Sequence, residues 1–77
     1  MITLTITNVE EVLFHGSAKS VIVPGSEGEM TILPNHMSLV SGLKNGSVIV
    51  KDESKISEFK IEKGVIKVSP EEVLILV

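Results

Sequence analysis

The chain has no cysteine, tryptophan or tyrosine, and none of its seven basic residues is arginine. Without cysteine, disulfides and thiolate metal centres are excluded and no covalent staple offsets the small size, which suits a reducing compartment. Without arginine there is no planar fork for a phosphate or a guanine edge. Phe14 and Phe59 are the only aromatics, so no base-stacking platform can be assembled, and the net charge is −3. Nucleic acid is therefore not an expected partner. Long apolar runs are missing too. The longest, Val73 to Val77, is far short of the roughly 20 residues of a membrane helix. Met1 leads straight into patterned sequence without a signal peptide, so a soluble, unprocessed, cytosolic chain is the expectation.

What is present is aliphatic. With 43% apolar and 22% charged residues, the composition is that of a folded domain, not a disordered tail. One domain over residues 1–77 is expected. At this size folding hides only about 60% of the surface of the unfolded chain, and the usual stability per residue implies roughly 4–11 kcal/mol in all.

Ile2, Leu4 and Ile6 alternate with Thr3, Thr5 and Thr7, the period of two that puts aliphatics on one strand face and hydroxyls on the other. Val12 to His15 reads as a second strand, Gly16-Ser17 as a turn, and Ala18 to Val23 as a third strand stopped by Pro24-Gly25. Glu29 to Leu33 extends again before Pro34-Asn35, and His36 to Leu43 reads as an irregular strand. Ser47 to Lys51 and Ile56 to Ile61 flank the polar turn Asp52 to Lys55 as a hairpin. Val65 to Val68 and Glu72 to Val77 form a last hairpin across Ser69-Pro70-Glu71. About nine short strands, with frequent turn signals and no helical stripe, predict an all-β sandwich or barrel. Val73 to Val77 is apolar on both faces, so either the chain's own loops or a partner must cover its outer side.

The chemistry-bearing residues are few. His15 and His36 are the only histidines, and neither belongs to a catalytic or metal motif. A stand-alone β-domain holding a ligand or metal through His15 and His36 is the alternative reading. Gly25-Ser26-Glu27-Gly28 lacks the Lys-Ser/Thr of a phosphate loop and sets Glu27 and Glu29 where phosphate would be repelled, so it reads as a turn. Lys19, Lys44, Lys51, Lys55, Lys60, Lys63 and Lys67 are scattered, with no basic block for a membrane surface. No catalytic residue, cofactor or metal ligand is assigned, and the protein is not expected to be an enzyme.

From Phe14 to Gly46 the sequence FHGSAKSVIVPGSEGEMTILPNHMSLVSGLKNG resembles the signature stretch of the epsilon subunit of F-type ATP synthases. The elements that carry the likeness are Phe14 and Gly16, Val23-Pro24-Gly25, Glu27-Gly28-Glu29, Leu33-Pro34 with His36, and Leu43-Lys44 with Gly46. Lys63 to Val68, followed by a last apolar strand, is similar to the end of that family's first domain. Asn35 departs from the family's usual Gly before His, but Asn tolerates the left-handed conformation that Gly supplies.

The resemblance implies a flattened two-sheet sandwich of about ten short, mainly antiparallel strands at the foot of the central stalk. It implies a non-catalytic rotor subunit that binds the gamma subunit and the membrane ring of c subunits and couples proton-driven rotation to ATP synthesis. The catalytic head would be a partner only indirectly. The membrane would be met only through the complex, on the cytoplasmic face of the inner membrane. Glu29 and His36 match positions on loops facing the ring, with Ser26, Glu27, Met30 and Asn35 as neighbours in the same implied interface. Relatives continue into a pair of C-terminal helices that can inhibit ATP hydrolysis. This sequence stops at Val77, so those activities are not expected of it, and the missing helices would explain an uncovered last strand.

Overall fold

The computed structural model describes residues 1–35 and 38–77, and within them every regular element is a strand. These are β1 (Ile2–Thr7), β2 (Val12–Ala18), β3 (Ser20–Gly25), β4 (Gly28–Ile32), β5 (Leu39–Leu43), β6 (Gly46–Lys51), β7 (Ile56–Ile61), β8 (Gly64–Val68) and β9 (Glu72–Leu76). They form one curled sheet in the order β2-β1-β9-β8-β5-β3-β6-β7, with β4 added to β3. The curl brings two layers face to face, the expected all-β sandwich. All ladders are antiparallel except that of β1 with β9.

The alternation seen in the sequence decides which face goes inside. Ile2, Leu4 and Ile6 of β1 are buried, and so are Val21 and Val23 of β3, Val48 and Val50 of β6, Ile66 and Val68 of β8, and Val73 and Ile75 of β9. A slip of one residue would turn each of these sets to water, so the pattern also fixes the register. No polar or charged side chain is buried among the described residues.

Two readings of turns from the sequence differ from the structure. Gly16-Ser17 is not a turn: β2 runs through it to Ala18, pairing Gly16 with Leu4 and Ser17 with Thr3. The chain bends instead at Lys19, whose N–H reaches the Lys51 carbonyl at 2.7 Å, and this carries it from one layer to the other. Pro24-Gly25 does not stop β3 either. Lys44 N donates to the Pro24 carbonyl, and a strand residue's N–H points to the same edge as its C=O. The donor that proline lacks therefore faces the β5–β6 connection, where no rung is interrupted, while Pro24 still pairs with Glu29. The start of the irregular strand read from His36 lies outside the described residues, and its remainder is β5.

The β6–β7 hairpin is as read. Its turn is held by Asp52, whose Oδ1 accepts from Ser54 N and Lys55 N, each at 2.9 Å. Those two backbone donors favour the carboxylate and hold Asp52 below its ordinary value of 3.8. A group depressed in the folded state stabilises the fold above its unfolded pKa and loses that contribution as pH falls through the folded one. Asp52→Ala is thus expected to melt lower than the native chain at pH 7. The gap should close below pH 3.8, as paired thermal melts across pH would show.

Candidate protein interface

Two surfaces stand out, and the β3–β4 hairpin builds the first. Its tip turns through Ser26-Glu27, between buried Gly25 and Gly28, whose φ of 139° suits glycine. The tip is pinned to the other layer: Ser26 N donates to the Gly42 carbonyl at 3.0 Å, and Lys44 N to the Pro24 carbonyl at 2.9 Å. Gly46 passes so near that a Cβ on it would stand 2.8 Å from the Pro24 Cβ. Ser26 and Glu27 are exposed at the turn. Glu29 pairs with Pro24 and is exposed on the outer face. The result is a rigid acidic knuckle. Met30, paired with buried Val23, instead packs against the core and has only part of its side chain to offer a partner.

Asn35 does not join this group. It lies beyond the opposite end of β4, exposed, with a left-handed φ of 63°, as its side chain permits. Its N–H donates to the Pro70 carbonyl at 3.0 Å, so the neighbour of Asn35 is the β8–β9 turn. Four strand steps separate Gly28 from Ile32, about 13 Å at the rise of a strand. His36 lies outside the described residues.

The second surface is the outer face of the layer containing β9. There Gly42, Val65, Leu76, Thr7 and Val12 line up across five strands, with Val40 and Leu74 in the next row. Val40, Val12, Leu76 and Val65 are 69%, 58%, 47% and 43% exposed. The chain's own loops therefore leave the outer side of β9 partly bare. Reading the sequence found only the β9 part of this patch. The same signal was present in Val12-Leu13, Leu39-Val40 and Val65-Ile66, where two adjacent apolar residues break the alternation and one must face out.

His15 also lies on that outer side, on β2, where its Nδ1 is 2.9 Å from Thr5 Oγ1. Either the hydroxyl donates to an unprotonated Nδ1 or a protonated Nδ1 donates to the hydroxyl. Among the described residues no group of three or more His, Cys, Asp or Glu side chains could hold a metal.

Residues 1–77 match the β-sandwich domain of the ATP synthase Delta/Epsilon chain along their whole length. The chain belongs to that family. It is 37% identical over 78 residues to ATP synthase epsilon chain 2 of Ralstonia nicotianae, covering 99% of this chain and 55% of the relative. It is 40% identical over 77 residues to the ATP synthase epsilon chain of Campylobacter fetus subsp. fetus, covering 99% and 60%. The chain thus spans little more than half the length of these relatives. It is also similar to a chain in the structure of Euglena gracilis mitochondrial ATP synthase containing OSCP, F1 and the c-ring. There the TM-score is 0.91 at 28% identity, covering 99% of this chain and 49% of the other. A chain in the Tetrahymena thermophila mitochondrial ATP synthase central stalk and c-ring shares the fold at a TM-score of 0.80 and 15% identity, covering 99% and 62%.

Proposed function

We propose that this Delta/Epsilon sandwich is a non-catalytic part of the ATP synthase central stalk that joins the gamma subunit to the c-ring and transmits rotation between proton passage and ATP synthesis. The observation that carries the reading is the family match over the entire chain. The geometry supports it with two separate rigid surfaces, as a coupling element between two partners requires. The acidic knuckle of Ser26, Glu27 and Glu29, tied to β5 by backbone hydrogen bonds, suits polar ring loops. Asn35 would extend the ring contact only if the ring also reaches the far end of β4, and His36, outside the described residues, enters this reading from the sequence alone. The apolar outer face of Val12, Val40, Val65 and Leu76 suits gamma, since such a patch is buried at the centre of a stable interface. The complex would hold the chain peripherally at the cytoplasmic face of the membrane.

The test is capture of the matching gamma subunit and, separately, of the detergent-solubilised c-ring carrying gamma. Glu27→Ala with Glu29→Ala should leave gamma capture intact and weaken ring assembly by about tenfold, the loss of one to two exposed charged contacts. Val65→Lys with Leu76→Lys should abolish gamma capture while the fold survives, because both side chains are exposed. Failure of the native chain to bind gamma would sink the stalk reading. It would favour the ligand or metal alternative through His15 and His36, testable by thermal melts with added metal.

A further inference from the structure

The strand order begins at β2 and ends at β7, and among the described residues each of these hydrogen-bonds along one edge only. The curled sheet is therefore an open ring, and its seam carries no ladder. Across the seam the two aromatics of the chain meet: the rings of Phe14 on β2 and Phe59 on β7 pack edge to face, centroids 5.7 Å apart and planes 68° apart. Both are partly buried against the core. Gly16, next on the inner face of β2, would place a Cβ 3.4 Å from the tip of the Phe14 ring, so that ring lies along its own strand.

We propose that this pair is a latch and that β7 is a flap, able to peel from β6 as a unit while the rest of the sandwich stays folded. Beyond its six-residue ladder to β6, little else among the described residues holds β7. Ile56 is 67% exposed, Glu58 and Lys60 face water, and Ser57 is half-buried. Its one buried side chain, Ile61, sits where the strand leads into the link to β8 and marks the hinge. β6, by contrast, is anchored by buried Val48 and Val50 and by its own ladder to β3. β9 has ladders on both edges and buries both Val73 and Ile75. Elements with few buried side chains and one ladder open first. Neither the knuckle on β3–β4 nor the apolar outer face, which includes Val12 of β2, has a residue on β7, so peeling β7 leaves both in place.

Native-state hydrogen exchange of the full chain, followed residue by residue in low urea, tests the device. The β7 amides should exchange at least about tenfold faster than those of β9, with weak urea dependence, because the opening exposes little surface. Phe14→Leu, made on β2, should speed β7 exchange about 2- to 10-fold, the loss of one aromatic pair. Ile75→Val, which weakens the core common to the closed and open forms, should speed β9 exchange and leave β7 unchanged. If β7 follows β9 in the Ile75→Val chain, β7 opens only with global unfolding and the flap is wrong. If Phe14→Leu leaves β7 exchange unaltered, the aromatic pair is not its latch.

Discussion

Ile75→Ala is expected to lower the stability of this domain by about 3–4 kcal/mol, within the range for truncating a fully buried aliphatic. Ile75 is the place to look because β9 is hydrogen-bonded on both sides, and Ile75 pairs with Ile6 of β1 and Ile66 of β8. All three are 0% exposed, so the cavity opens at the middle of the layer, where no loop can collapse into it. Each kcal/mol shifts the melting temperature of a domain this size by about 4–8 °C, so a fall on the order of 12–32 °C follows. Against a total of roughly 4–11 kcal/mol, that leaves the variant marginal at 25 °C. Leu76→Ala is the control. One residue along the same strand but on its outer face, it should cost less than about 1 kcal/mol. Paired urea titrations measure both, and equal losses would mean that the two faces of β9 are wrongly assigned.

Gly25→Ala is expected to disrupt the knuckle beyond its cost in stability. A Cβ at Gly25 would stand 2.5 Å from the Gly28 carbonyl oxygen and 3.1 Å from Met30 Cε. The methionine can swing aside but the carbonyl belongs to the opposing backbone, so the hairpin must open. Forced overpacking of this kind costs about 1–3 kcal/mol. Opening the hairpin also pulls Ser26 from Gly42, which reorients Glu27. If the knuckle meets the ring, the variant loses ring assembly beyond what its stability predicts while gamma capture persists. Gly28→Ala separates the two effects. Nothing lies within 4 Å of that Cβ, so only the φ of 139° is strained, at about 1–3 kcal/mol, and Gly25 keeps its close approach. Gly25→Ala with ring assembly unchanged would remove the knuckle from the interface.

Much of the strand content was legible because alternation is local. Thr3, Thr5 and Thr7 announce the outer face of β1, and the Asp52 to Lys55 turn announces the β6–β7 hairpin, each within a few residues. The errors fell where a local rule met a tertiary exception. Gly16 reads as a turn residue, yet it lies inside β2 beside the Phe14 ring. Pro24 reads as a stop, yet its missing donor points where no rung is lost.

The residues named for the proposed interface come from the sequence, but their places in the fold do not. Ser26, Glu27, Glu29 and Asn35 are close in sequence, and an extended strand carries Asn35 to the far end of β4, beside Pro70. Val12, Val65 and Leu76 are far apart in sequence and share one surface.

By itself the sequence determined an all-β fold, the inward face of nearly every strand, the absence of a thiolate centre and the family to which the chain belongs. Only the tertiary structure decided that β1 pairs in parallel with β9 from opposite ends of the chain, that Phe14 meets Phe59 across an unladdered seam, and that acidic and apolar surfaces are kept apart. The physical reason is one of range. A side chain's face follows from the two-residue period of its own strand, whereas strand neighbours follow from which buried faces fill a common core, and no local pattern records that choice.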